Sequence, residues 1–234
     1  VPTVSFSLEK PPPAGSRRER ILAAAARLMA ERGYHGVSIN DIGRAAGVSG
    51  PALYKHFPSK QAILGELLIG ISERLLAEGT RRAAAAPSPD GTPSPDGTPS
   101  PDGTPSPDGT PSPDGTLDAL VRWHVSFALD SPELIRIHDR DLTSMNPADA
   151  RTVRRLQRGY VELWVAQLRA RSPELAEGTA RAAVHATFGL LNSTPYSAVT
   201  MSRPQLADLL HRLGLAALLA AGARRPAPGP AATR

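Results

Sequence analysis

Apolar residues recur at helical spacing in nearly every patterned segment of this chain. Ile21, Ala25, Leu28 and Met29 repeat in this way until Gly33, and Ser16 with Glu19 behind it forms the capping-box signature of a helix start. Ser38 and Asp41 form a second such signature ahead of Ile42, Ala45 and Ala46, and Gly47-Val48-Ser49 supplies a turn. A third helix is predicted from Gly50 to about Phe57, with Ser49 as its cap and Pro51 tolerated in its first turn. Ser59 caps a fourth helix, on which Ile63, Leu64, Leu67, Leu68, Ile71 and Leu75 make one stripe up to about Gly79.

The pattern then stops. Ser-Pro-Asp-Gly-Thr-Pro recurs four times from Ser88, and a fifth, truncated copy ends at Thr116. Its prolines remove amide donors and it offers no apolar side chain to pack, so residues 87–116 are expected to be a disordered loop. Closing even a long loop costs only about 0.6 kcal/mol per doubling of length, so such an insertion is compatible with the helices on either side. It reads either as a neutral expansion or as a docking site for a proline-binding partner.

Helical spacing returns after Thr116 with Leu120, Trp123 and Phe127, then Leu134, Ile137 and His138, then Val153, Leu156, Tyr160, Leu163, Trp164 and Leu168. Breaks fall near Asp130-Ser131-Pro132 and Asn146-Pro147. Two more helices are predicted from about Pro173 to Asn192 and from Pro204 to Ala221. No segment reads as a strand. The expected fold is therefore all-α: a flexible arm over residues 1–15, a three-helix helix-turn-helix domain over 16–60, a helical domain over 61–223 interrupted by the repeat, and a disordered tail over 224–234.

Composition sharpens this picture. The net charge is +5, although the repeat alone holds five aspartates and no basic residue, so the rest of the chain is more basic still. That balance suits a polyanionic partner, nucleic acid or an acidic membrane surface. The absence of cysteine excludes disulfides, thiolate zinc sites and a thiol nucleophile. Neither a secretory signal nor an apolar run of membrane-spanning length is visible, so a cytoplasmic, nucleoid-associated protein is expected, with no membrane partner.

The chemistry concentrates in residues 16–60. A helix-turn-helix crosses the DNA backbone with one helix and lays the next in the major groove, its N-terminal side chains at the base edges. Ile39–Ala46 and Gly50–Phe57 fit those parts. Gly50, Pro51 and Ala52 let the helix start approach the bases and leave only apolar or backbone readout. Tyr54, Lys55, His56 and Lys60 offer donors for phosphates, Ser38 and Ser49 sit at helix starts that suit anionic oxygens, and Arg44 adds charge beside them. Arg17 and Arg18, with the arm before them, are placed to reach neighbouring backbone or minor groove. Tyr54 and Phe57 each have a second reading as core.

The segments Gly33-Tyr34-His35-Gly36-Val37-Ser38-Ile39-Asn40-Asp41-Ile42 and Leu53-Tyr54-Lys55-His56-Phe57-Pro58-Ser59-Lys60 resemble the tetracycline-repressor (TetR) family of bacterial regulators over roughly residues 16 to 80. Gly43 stands where that family usually has alanine, Gln61 where glutamate is common and Pro51 where glycine is common; Gly43 is expected to loosen its helix by up to about 1 kcal/mol. The resemblance implies a homodimer formed through the last two helices, and phosphate contacts from the positions of Ser38, Tyr54, His56 and Lys60. It implies a repressor holding a palindromic double-stranded operator and released by a small-molecule effector. Phe188-Gly189-Leu190-Leu191-Asn192-Ser193-Thr194-Pro195 and Ile137-His138-Asp139-Arg140-Asp141 look like actinobacterial members tied to acyl-CoA catabolism, so an acyl-CoA or other lipid-like metabolite is one candidate effector.

Leu68, Trp123, Phe127, His138, Tyr160, Trp164 and Phe188 are the candidate lining of an effector cavity, with plain core as the other reading. His124 and His138 read as surface or hydrogen-bonded histidines, not metal ligands, and no cofactor is expected. Arg136, Arg140, Arg151, Arg154, Arg155 and Arg158 form a basic cluster, either a solvated face or a receiver of coenzyme A phosphates. An enzyme is not expected, since nucleophile elbow, paired carboxylates, phosphate loop and metal-spaced cluster are all missing. A constitutive DNA binder, or a nucleoid-associated or scaffolding protein without an effector, is the alternative.

Overall fold

The computed structural model describes residues 16–84, 113–196 and 200–222. The helices are α1 (Arg17–Arg32), α2 (Ile39–Ala46), α3 (Gly50–Tyr54), α4 (Lys60–Ala84), α5 (Pro113–Asp130), α6 (Pro132–Asp141), α7 (Pro147–Arg171), α8 (Glu177–Leu191) and α9 (Arg203–Gly222), with short 3-10 turns at Leu142–Ser144 and Thr194–Tyr196. Among the described residues there is no strand. No described helix is long and apolar enough to cross a membrane.

Both capping boxes form. Ser16 accepts the N–H of Glu19 while the Glu19 carboxylate accepts that of Ser16, and Ser38 and Asp41 repeat the exchange at the start of α2. Gly47 ends α2 in the left-handed region at φ 66°, where a side chain would be strained. Ser49 precedes α3 in extended backbone, yet its hydroxyl makes no cap bond; only its carbonyl is used, accepting from Leu53 N–H at 2.9 Å.

Several boundaries differ from expectation. Regular α3 ends at Tyr54 instead of Phe57, because the following amides tighten: His56 N–H bonds Leu53 O, three residues back, at 2.9 Å. The fourth helix continues to Ala84, past Gly79, whose missing side chain admits the α7 residues Tyr160 and Leu163. Residues 113–116 of the repeat are helical and not loop: Pro113 is tolerated in a first turn, and Thr116 and Leu117 are buried in the packed α5. The remainder of the repeat, the arm and the tail lie outside the described residues. Helix α8 starts at Glu177, since Pro173-Glu174-Leu175 closes a turn with Leu175 N–H on Ser172 O.

Two large apolar clusters hold these helices. The first joins Ile21, Met29, Ile42, Leu53 and Phe57 of the N-terminal helices to Ile63, Leu64 and Leu68 of α4 and to Ile137 and Val153 of α6 and α7. Its continuity ties the N-terminal helices to the base of the second domain. The other cluster packs Leu117, Val121, Trp164, Leu168, Val184, Leu191, Leu210 and Leu218 from α5, α7, α8 and α9. Aliphatic side chains of this size contribute about 1.5–3 kcal/mol each when fully buried, so the two clusters dominate the stability.

Candidate functional site

At the N-terminal end, α2 and α3 hold the short, exposed surface expected to meet DNA. Ser49, Pro51 and Lys55 are exposed, Gly50, Ala52 and His56 half-buried, and Tyr54 is 53% exposed, which places its phenol on the surface and removes the core reading. Phe57 is 1% exposed and belongs to the core. A side chain added at Gly50 would meet open space, so the helix start is uncrowded. Gly43 is different: a Cβ there would sit 3.2 Å from the carbonyl oxygen of Val48, so its absence lets the turn fold closely over α2.

The cationic groups divide into two sets. Arg17 and Lys55 are exposed, and Arg44 extends from α2 paired with Asp41. Hydrogen bonds from Ser38, with Arg44 beside them, hold the Asp41 carboxyl down at about 2, so it stays ionised at any working pH. The Ser38 hydroxyl donates to that carboxylate at 2.6 Å and accepts the Asp41 amide. Lys60 departs from its expected task as a phosphate ligand: its ammonium donates to Tyr34 O at 2.6 Å and Val37 O at 2.7 Å and lies 4.1 Å from the centroid of the Tyr34 ring. Arg18 likewise turns inward, bonding Glu66 and the carbonyl of His56 and covering the Phe57 ring at 4.4 Å. Both brace the N-terminal helices from behind.

The second domain encloses a cavity of about 300 Å³ between α4, α5, α6, α7 and α8. Of the seven expected lining residues, Phe127, His138, Tyr160 and Phe188 face it. The other three do not. Leu68 is buried in the N-terminal cluster because it sits on the α4 face turned to α1. Trp164 packs wholly inside the second cluster, edge-on to Phe188 at 4.9 Å. Trp123 lies on another face of α5, beneath the guanidinium groups of Arg74 and Arg82.

At the centre of the wall is His124, 2% exposed and missed as a cavity residue. Its ring stacks on Phe188 at 4.7 Å and on Tyr160 at 5.9 Å. Nδ1 lies 3.3 Å from the Tyr160 hydroxyl and Nε2 lies 3.0 Å from Asn192 Oδ1. Burial lowers its pKa to about 4, so it is neutral, and burial also raises the Tyr160 phenol. A neutral ring with Nε2–H donating to Asn192 and Nδ1 accepting from the phenol satisfies all three groups. The signal was present in the spacing: Leu117, Leu120, Val121, His124 and Ala128 share one face of α5. Ser72, Gln157, Asp139 and His185 add further polar groups, and Gln157 Nε2 donates to His138 Nε2 at 2.7 Å.

Helix α6 connects the two sites. Leu134, Ile135, His138 and Asp139 line the cavity, while Arg140 bonds Met29 O at the end of α1 and Asp141 accepts the N–H of Tyr34. Beyond it, Gln61 of α4 donates to Ser144 O at 2.9 Å, and Ser144 Oγ lies 3.2 Å from His35 Nε2. A guanidinium at a helix C-terminus also complements the helix dipole.

A capped three-helix head with an exposed third helix, braced on a helical body, has the architecture of a helix-turn-helix domain joined to a helical one. Residues 21–67 match the model of the tetR family of bacterial regulatory proteins. Its similarity to the transcriptional repressor KstR2 of Rhodococcus jostii (strain RHA1) is 39% identity over 74 residues, 29% of this chain and 36% of that protein. The chain thus spans about a third of the length of the curated relatives it matches. The helical fold is similar to that of the TetR-family regulator PfmR from Thermus thermophilus, at TM-score 0.64 and 24% identity over 84% of this chain and 97% of that one. It is similar also to that of AibR, solved with isovaleryl coenzyme A and operator DNA, at TM-score 0.63 and 17% identity over 85% of this chain and 97% of that one.

Proposed function

We propose that the protein is a ligand-responsive, dimeric transcriptional repressor that holds a palindromic operator and releases it when an apolar effector enters the aromatic cavity. The observation that carries this reading is the double engagement of α6, which walls the cavity on one side and is hydrogen-bonded to the end of α1 on the other. A ligand that displaces α6 acts directly on the reading head, and a coupling of about 1–3 kcal/mol suffices to switch a promoter. Helix α4, which starts in the N-terminal cluster and ends beside α5 and α7, is the second lever.

In this reading Arg17, Arg44, Tyr54, Lys55 and His56 contact phosphates, Ser38 and Ser49 place helix starts against the backbone, and Gly50, Pro51 and Ala52 face the bases. The proposed dimer uses α8 and α9. Leu213 is 45% exposed, and Ala182, Ala186, Gly189, Ala216 and Ala220 are exposed beside it, an apolar, small-residue surface over two neighbouring helices. Two heads so joined address half-sites about 34 Å apart. AibR, with its coenzyme A ligand and operator, supports a ligand-responsive member of this fold.

The test is operator binding on fragments upstream of the protein's own gene, with a scrambled competitor, a Tyr54→Ala control and several salt concentrations. Saturable binding that Tyr54→Ala loses supports the regulator. Equal binding to every fragment, set by salt alone, would reduce the protein to a nonspecific polycation.

A further inference from the structure

Arg151, Arg154, Arg155 and Arg158 stand at i, i+3, i+4 and i+7 on α7, so their side chains leave the helix on one side. All four are exposed, and among the described residues none is paired with a carboxylate. By contrast, Arg122, Arg181, Arg203 and Arg212 each face an aspartate or glutamate. The remaining members of the sequence's basic cluster are also engaged, Arg136 with Pro195 O and Arg140 with Met29 O. Four adjacent, uncompensated guanidinium groups repel one another along a helix, and a bound polyanion relieves that repulsion.

The stripe is continuous with the aromatic cavity. Arg151, Arg154, Arg155 and Arg158 line one surface groove, and Arg154 and Arg158 also line a second. Gln157, Val161 and His185 belong both to that second groove and to the cavity wall. Glu162, the carboxylate of the groove, is held by Arg181 at 2.8 Å. Among the described residues that line the cavity there is no lysine or arginine, so a ligand's negative charge has no counterion among them and belongs outside.

Resting on the effector reading above, we propose that the effector is an acyl thioester of coenzyme A: its acyl group fills the cavity, its arm passes Gln157, Val161 and His185, and its phosphates lie on the α7 arginine stripe. Arg151 to Arg158 covers about 10 Å of helix, which suits several phosphates carried on an extended head. A free fatty acid brings one charge and occupies one guanidinium, and a neutral lipid leaves the stripe unused. Guanidinium groups match phosphate in shape and bond it bidentately. A cavity of about 300 Å³ suits a short or branched acyl group.

Calorimetric titration of the full chain with butyryl-, octanoyl- and dodecanoyl-coenzyme A, coenzyme A and octanoate decides the matter. At least one acyl-coenzyme A is expected to bind tenfold or more tighter than either octanoate or coenzyme A. R154A/R158A should lose tenfold or more of that affinity while keeping its melting temperature and its ligand-free operator affinity, and R154K/R158K should recover part of the loss. Affinity unchanged in R154A/R158A, coenzyme A binding as tightly as its acyl forms, or no binding at all would overturn the proposal. So would weaker ligand-free operator binding by R154A/R158A, which would make the stripe a nucleic-acid surface. The titrations contain no DNA, so they stand even where specific operator binding fails and the regulator reading falls with it.

Discussion

The carboxylate of Asp141 accepts the backbone N–H of Tyr34 at 3.2 Å, joining residues 107 positions apart in the chain. Asp141 is 4% exposed and also faces Arg140, so one buried side chain at the end of α6 anchors the loop between α1 and α2. Removing it leaves an amide and a guanidinium short of a partner. Asp141→Ala is expected to cost about 1–3 kcal/mol in stability and, in the proposed mechanism, to weaken the effector's hold on operator affinity. Chemical denaturation and operator titration with and without ligand measure the two effects.

In the proposed function, Tyr54 and Phe57 separate operator contact from stability within one turn. Tyr54→Phe removes a hydroxyl on an exposed ring, so stability should stay within about 0.5 kcal/mol of the parent. Operator affinity should fall about tenfold, as expected for a lost hydrogen bond to a charged oxygen worth about 1.5 kcal/mol or more. Phe57→Ala, in the core, should instead cost about 3–5 kcal/mol. Thermal melts and operator titrations of both variants check the contrast.

Gly79 on α4 faces Tyr160 so closely that an added Cβ would lie 2.7 Å from Cε2 of the ring and 2.8 Å from Cδ2 of Leu163. Gly79→Ala should therefore overpack the α4 and α7 contact, costing about 1–3 kcal/mol despite alanine's better helix propensity. Because Tyr160 also lines the cavity, ligand affinity should fall with it. A Gly79→Ala protein more stable than its parent would mean that α4 and α7 separate easily.

His124 gives the protein an acid-sensitive core. Its pKa is about 4 when folded against an ordinary 6.5, so between these values the unfolded chain binds a proton that the native state refuses. The contribution is intact above pH 6.5 and is lost as pH falls toward 4, on the order of 3 kcal/mol across that window. Denaturation curves from pH 7 to 4 should therefore be flatter for His124→Gln than for the parent. Equal slopes would mean that the native ring accepts the proton.

The helices were legible because their ends are written in local chemistry: Ser16 with Glu19, Ser38 with Asp41, and prolines at the breaks near 132 and 147 need no tertiary partner to take effect. The reading surface was legible for the same reason, through the turn at Gly47. Side-chain destinations were not. Lys60 and Arg18 look like phosphate ligands in sequence, but they find carbonyls and a carboxylate supplied by distant segments, and long cationic side chains go where such acceptors converge. Trp123 and His124 show the same limit on α5. Hydrophobicity favours Trp123 for the interior, whereas the stripe through Leu117, Leu120 and Ala128 gives that position to His124 and leaves the indole beneath two arginines.

The open space at Gly50 bears on how such a protein acquires new targets. Apart from its own chain neighbours and helix backbone, no described atom lies within 4 Å of where its side chain would begin, and its φ is not positive, so a side chain can start there without meeting Leu53 or Phe57. Address and architecture are therefore separable in this head. In the proposed function, mutation at this one unconstrained position would redirect the protein to a different promoter while folding, and the machinery that listens for the signal, are inherited unchanged.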